Sequence, residues 1–218
     1  AVDHEHVYVI PNGANSELFV PKTGEQAPVE QPYVVFFGAM AVWQGIDTML
    51  KAVSDPQWPQ DLHLVCIGDG AEKDKVESAA LADTRIKYVG KVRYKDVPLF
   101  VANALAGLSL QNNVGRRSET GLYPLKVFET MSCGVPVIVT DWPGQSDLIR
   151  SSECGIIIPP NNPAELARAV ALLHSNPSMA TYLGANGRKA VEQEHSWKAR
   201  AYQTYDVIAD ATRRSNRR

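Results

Sequence analysis

A series of short apolar, β-branched runs separated by stretches of helical periodicity constrains this chain more than any other feature. The runs are YVVFF (Tyr33 to Phe37), LHLVCI (Leu62 to Ile67), IKYV (Ile86 to Val89), AGLSL (Ala106 to Leu110), VPVIV (Val135 to Val139) and GIII (Gly155 to Ile158), each of strand length. Between them Ile46, Met49, Leu50 and Val53 stand at i, i+3, i+4 and i+7, and Leu166, Ala169, Val170 and Leu173 repeat the spacing, which gathers each set on one helical face. Strands that alternate with helices pair in parallel, and the crossover helices then cover both faces of the sheet. The expected fold class is therefore α/β, a doubly wound parallel sheet. Helix starts are marked by Asn162-Pro163 with Glu165 behind, by Asn176-Pro177, and by Ser196 before Trp197. Each pairs a capping side chain with a residue suited to the first turn, so the chain is expected to be helical from residue 160 onward.

The 218 residues fit one domain, at about 150 residues per domain. Hydrophobic residues make up 44% and charged residues 21%, the proportions of an ordinary soluble globular domain. A net charge of −2, from 22 basic and 24 acidic residues, leaves no electrostatic footprint for nucleic acid. The basic cluster TRRSNRR, Thr212 to Arg218, reads either as a frayed, solvated terminus or as a contact for anionic lipid. Cys66, Cys133 and Cys154 are widely spaced, odd in number and flanked by apolar residues, so they read as buried small hydrophobes rather than a disulfide framework or metal knuckle. No apolar run nears the roughly 20 residues that span a bilayer, and the opening AVDHEHVYVIPNG lacks a signal-peptide layout. These features predict a cytoplasmic protein without a transmembrane segment. The strand-like VYVI ending in a Pro-Asn-Gly turn suggests that the chain opens just ahead of an interdomain linker, within a longer protein. The expected division is residues 1–21 as linker and first strand, 22–195 as the α/β domain, and 196–218 as a C-terminal helix and basic tail.

In open α/β sheets, ligands sit beyond the carboxyl ends of the strands, where helices begin and their N–H groups point outward. Three successive strands here end in glycine: FFG at Gly38, CIGDG at Gly68 and YVG at Gly90. One such glycine serves a tight turn as readily as a ligand's close approach; three at one edge point to a shared crevice. The most informative stretch is GLYPLKVFETMSCGVPVIVTD, Gly121 to Asp141, which reads as loop, helix, turn and strand. Pro124 suits the first helical turn, Gly134 the position beyond the helix end, and Pro124, Val127, Phe128 and Met131 form the stripe that packs on the sheet. Lys126 and Glu129, three residues apart, share a neighbouring face. A lysine in the first turn opposes the helix macrodipole, which makes sense if an anion binds there. The alternative is an exposed lysine paired with Glu129.

The segment PLKVFETMSCGVPVI resembles PLKLFEYMACGKPVI of the retaining glycosyltransferases called group one, or family four. The resemblance extends through YVIPNGANSELFVP, FFGAMAVWQGIDTMLKAV, LVCIGDGAE, YVGKVRYKDVPLFVANAL, GIIIPPNNPAELARAVALL and the HSW at His195 to Trp197. It implies a Rossmann-like sheet forming the C-terminal, donor-binding half of a two-domain GT-B fold, with an N-terminal half that would hold a carbohydrate or lipid-linked acceptor. It also implies a nucleoside-diphosphate-sugar donor, no metal or other cofactor, and an isolated chain that transfers no sugar. By the same resemblance Leu125, Lys126 and Val127 hold the donor diphosphate, Lys126 acting as the catalytic cation, and Glu129 reaches the ribose. Gly38, Trp43, Gln44, Gly68, Val92 and Tyr123 join the nucleotide-sugar-binding set. The full-length protein is then expected in the cytoplasm, peripheral at the inner membrane face.

The sequence departs from the family in two places. Eight residues before Glu129, where the family usually carries a first glutamate at the donor sugar, stands Gly121, and Glu119 is out of register by two. The first glycine loop often supplies an arginine and a lysine, whereas here Ala39 follows Gly38 and Gln44 precedes Gly45. AMAVWQG is closer to the GSFxxWHG variant of that loop. Gln44 brings a hydrogen-bond donor without charge, so Lys126 becomes the principal cation, with Arg116 and Arg117 as helpers. Trp43 reads either as a wall of the donor site or as an aromatic closing its loop on the core; Trp58, Trp142 and Trp197 are assigned to packing. His63 reads as a strand residue rather than a base, and His4 and His6 fall in the linker. Rival readings are a dinucleotide oxidoreductase, which GAMAVW and GDGAEK fail as glycine fingerprints, a GT-B-fold sugar-nucleotide epimerase, and a non-catalytic nucleotide-sugar-binding module. No nucleophile elbow or phosphate-binding P-loop motif occurs.

Overall fold

The computed structural model describes residues 7–22, 24, 26–113 and 121–215, the side chain of residue 215 excepted. Each apolar run becomes a strand: β1 (Tyr33–Ala39), β2 (His63–Asp69), β3 (Ile86–Gly90), β4 (Ala106–Ser109), β5 (Val137–Thr140) and β6 (Gly155–Ile158). The helices are α1 (Ile46–Val53), α2 (Lys73–Ala82), α3 (Val97–Ala102), α4 (Leu125–Ser132), α5 (Gln145–Ser152), α6 (Pro163–Ser175), α7 (Pro177–Ala190) and α8 (Trp197–Ser215). All strands run parallel, in the order β3-β2-β1-β4-β5-β6. The chain winds outward from β1 to β3, returns to lay β4 beside β1, and winds outward the other way. The direction reverses between β1 and β4, and a crevice opens beyond the carboxyl ends at that switch point.

Both faces of the sheet are covered, which explains why its strands read as continuous apolar runs. Val34 and Phe36 of β1 enter a core shared with Ile46 and Met49 of α1 and Leu166 and Val170 of α6. Tyr33, Val35 and Phe37 enter the opposite core, with Val97 and Val101 of α3. The stripe Val127, Phe128 and Met131 seats α4 on Val137 and Val139 of β5. That packing fixes where the amino end of α4 points.

The helix ends match the sequence expectations in part. Asn162 Oδ1 accepts from the Glu165 amide at 3.1 Å, and Ser196 Oγ accepts from the Ala199 amide at 3.1 Å. Asn176 instead donates through Nδ2 to the Leu172 carbonyl at 2.9 Å, closing α6 rather than opening α7, because one side chain between abutting helices serves one end. Pro124 stands outside α4 as its cap residue with an extended ψ of 135°. Gly134 takes the left-handed conformation at φ +68° that stops the helix.

The expected first strand is absent. VYVI, Val7 to Ile10, pairs with nothing among the described residues, and Val7 and Val9 are exposed. The residues that follow pack against the domain. Ala14 and Phe19 are fully buried, and Ala14 bridges the HSW segment through Ala14 N–His195 O and Trp197 N–Ala14 O bonds of 2.9 Å each. Trp58 is buried as expected, while Trp197 is 46% exposed. Cys66, Cys133 and Cys154 are free and buried, and burial pushes each thiol up to about 12. Among the described residues no helix is long and apolar enough to cross a membrane.

Candidate functional site

At the switch point lies a cleft of about 700 Å³. The ends of β1 and β2 supply Phe37, Gly38, Ile67 and Gly68, and the turns after β1, β3 and β4 supply Trp43, Gln44, Val92, Tyr94 and Gln111. The far wall is Gly121 to Lys126 together with Glu129. Gly38 lies level with Gly68 across the β1–β2 pair. A Cβ on Gly68, whose φ is +132°, would lie 1.9 Å from the Gly38 carbonyl oxygen, so only glycine lets the strands approach there. A Cβ on Gly38, at φ +119°, would instead face the tip of Lys126 at 3.7 Å, so this glycine keeps the space before the lysine open. Gly90 ends β3 at φ +77° but does not line the cleft. The β2–β3 register shifts between Cys66 and Ile67, so Gly90 sits opposite Ile67 rather than level with Gly68.

The amino end of α4 is uncapped: Pro124 offers no side-chain acceptor. Among the described residues the amides of Leu125 and Lys126 find no acceptor. Such unspent donors, with the positive end of the helix dipole, form a ready anion site. The Val127 amide, by contrast, already donates to the Pro124 carbonyl at 3.1 Å, and its side chain is buried in the core. Its place on the core stripe turns it away from the cleft.

Lys126 is not an exposed partner of Glu129. It is only 8% exposed, its Nζ donates to Gln44 Oε1 at 2.8 Å, and the ammonium lies 3.9 Å from the centre of the Phe36 ring. Burial draws its pKa down to about 7, against the opposing pull of the Glu129 charge. Gln44 Oε1 also accepts from Gln111 Nε2 at 3.3 Å. The Gln44 oxygen is thus spent inward, and its amide nitrogen is the group left to donate outward. Glu129, itself buried, accepts at Oε1 from the Tyr94 hydroxyl at 2.8 Å. Burial raises its pKa, while the Tyr94 hydrogen bond and the Lys126 charge hold it back.

Several lining residues lie outside the sequence-derived set. Tyr94 belongs to the YVGKVRYKDVPLFVANAL block, but its bond to Glu129 joins residues 35 apart. Gln111 stands two residues beyond β4, where a search of strand ends finds it; its amide donates to Thr140 Oγ1 at 2.8 Å and its carbonyl accepts from Trp142 Nε1 at 2.9 Å. Asn12 donates to the Tyr123 carbonyl at 2.7 Å, and its own carbonyl accepts from Arg200 Nε at 3.1 Å. Lys91 adds a rim cation paired with Asp69 at 3.0 Å. His63 begins β2 at the far end of the sheet and takes no part. Arg116, Arg117, Glu119, His4 and His6 lie outside the described residues.

The arrangement offers unpaired amides and a buried amine to an anion, and a held carboxylate to hydroxyl donors. A family model described as "Glycosyl transferases group 1" matches residues 22–190. A D-inositol 3-phosphate glycosyltransferase of Streptomyces bingchenggensis is 27% identical over 97% of this chain and 49% of its own length. The fold is shared with HepE of Anabaena, solved in complex with UDP, at TM-score 0.77 and 19% identity over 93% of this chain and 57% of that one. It is also shared with the C-terminal domain of a glycosyl transferase group 1 family protein (LpcC) from Francisella tularensis, at TM-score 0.69 and 19% identity over 85% of this chain and all (100%) of that one. The chain spans about half the length of the curated relatives it matches.

Proposed function

The chain belongs to the group 1 glycosyl transferases, and on that premise we propose that its cleft binds a nucleoside-diphosphate sugar and activates it for transfer. The observation that carries this reading is the uncapped amino end of α4 with the buried Lys126 beside it. The diphosphate sits against the amides of Leu125 and Lys126, with the space before Gly38 open to it and Gln44 donating from the side. Glu129 accepts from the ribose, and Trp43, Val92 and Tyr123 supply apolar surface. As the anomeric C–O bond breaks, negative charge gathers on the leaving diphosphate, and groups already oriented in a partly dry cleft stabilise it without reorganising. Lys126 and the helix terminus meet that charge, so the scheme calls for no metal. A second domain supplies the other wall, the acceptor and the base, and the sugar, a hexose in this reading, is transferred with retention. The free buried cysteines suit a reducing cytoplasm.

A second reading, a binding module without transfer activity, is favoured by one observation. Gly121, at φ +96°, lines the cleft where the family's first glutamate is expected. Turnover by the two-domain protein distinguishes the two readings. The donor-site proposal is tested by calorimetric titration with UDP, GDP and ADP and with the bare nucleosides. Lys126→Ala is expected to weaken the diphosphate that binds by roughly 10- to 100-fold, the worth of a charge-assisted hydrogen bond, and to leave its nucleoside nearly unchanged. Equal losses for both would overturn the phosphate role.

A further inference from the structure

We propose that Tyr94 is the positioning residue that makes Glu129 a reader of ribose, and so sets a preference for intact ribose over its 2′- or 3′-deoxy forms. The inference rests on the donor-site reading above. A carboxylate has two oxygens, and here Oε1 is taken by the Tyr94 hydroxyl at 2.8 Å. Among the described residues Oε2 takes no hydrogen bond, and Glu129 lines the cleft. One oxygen anchored and one open fixes the plane of the group before a sugar arrives, which lowers the ordering cost on binding. Without the anchor the carboxylate rotates, and burial favours its protonated form, a poor acceptor for hydroxyl donors.

Tyr94 is 55% exposed, and its ring is steadied on one side by an aromatic contact. Tyr94 opens the short 3₁₀ turn Tyr94–Asp96 after β3, and its ring lies 5.5 Å from that of the fully buried Phe19, at 58°. The hydroxyl is therefore placed by a ring contact that a phenylalanine preserves. The charged and titratable groups set toward Glu129 are Tyr94, Lys126 one turn earlier on α4, and Cys133 one turn later.

Tyr94→Phe tests the proposal, because it removes one oxygen and keeps the ring contact. The probe is whichever of UDP, GDP and ADP binds the unaltered chain, with its 2′- and 3′-deoxy counterparts. Affinity for the ribose form should fall roughly 3- to 10-fold, the range of a single hydrogen bond, and affinity for the deoxy form that lacks Glu129's hydroxyl by less than about 2-fold. The acid-side midpoint of ribonucleotide binding should also move to higher pH, since the hydroxyl that holds the Glu129 pKa down is gone. A retained ribose preference, equal losses for all forms, or an unmoved midpoint would overturn the inference. Glu129→Gln separates the levels. If it erases the ribose preference while Tyr94→Phe leaves it intact, only the Tyr94 inference falls. If Glu129→Gln leaves the preference intact, or no diphosphate binds, the reading of Glu129 falls with it.

Discussion

Lys126 is buried, and the cation's role proposed for it then predicts a pH dependence. Its pKa is drawn from the usual 10.5 to about 7 in the unliganded protein. Between those values the unfolded chain holds a proton that the folded chain lacks, so stability of the unliganded protein gains from this residue as pH rises across that window. A bound diphosphate favours the charged amine, so binding above pH 7 must take up a proton, and affinity should weaken as pH rises further. Titrations at pH 8 in buffers of different ionisation enthalpy should show net uptake of protons, up to one per diphosphate bound, as expected for a lowered pKa restored by the ligand. Lys126→Met should abolish the uptake; an enthalpy independent of buffer would contradict the assignment. Lys126 and Glu129 were legible because a lysine in a helix's first turn is a local anomaly, and because the surrounding segment resembles a family. Tyr94 and Asn12 were not, since their bonds to Glu129 and Tyr123 join distant parts of the chain and leave no local periodicity. Val127 packs its side chain on the core stripe, as its spacing predicts, while its amide donates to the Pro124 carbonyl at 3.1 Å, a bond that the sequence pattern does not announce.

At the scale of elements, Gly38 and Gly68, the two strand-end glycines that line the cleft, separate into different jobs. Gly68→Ala would drive a Cβ into the Gly38 carbonyl at 1.9 Å, at a φ that also strains any other residue. It should lower stability by roughly 2–4 kcal/mol in urea unfolding. Gly38→Ala meets nothing closer than the Lys126 tip at 3.7 Å, so its cost should be the smaller backbone strain of about 1–3 kcal/mol, with a marked loss of diphosphate affinity. A reversed ranking in stability would contradict the geometry. The strands were legible because burial on both faces demands unbroken apolar runs, as in Val34 to Phe37. VYVI has the same composition yet forms no strand, because a strand needs a partner and none lies beside it among the described residues. The sheet order and the turning aside of Gly90 were beyond the sequence, since both follow from how crossovers and a register shift fit in space.

For the molecule as a whole, the claim is that one cleft at the switch point of a doubly wound sheet is a nucleoside-diphosphate site, forming one wall of a larger transferase. Several elements contribute to its placement: β1 and β2 bring Gly38 and Gly68 level, the core stripe aims α4, and the Asn12 to Ala14 segment ties Tyr123 to the HSW segment and Arg200. In the proposed arrangement, where a second domain supplies the other wall, binding by this chain alone should be weak, because the phosphates remain wet and their contacts screened. The most direct test is to follow the backbone amide resonances of the isotope-labelled chain while titrating UDP, GDP and ADP. The predicted result is saturable shifts at Gly38, Gly68, Leu125, Lys126 and Glu129 with at least one diphosphate, the Leu125 and Lys126 amides moving far less with its nucleoside. Absence of shifts at these amides with all three, or shifts gathered instead around the groove between Ser151 and His195, would contradict it.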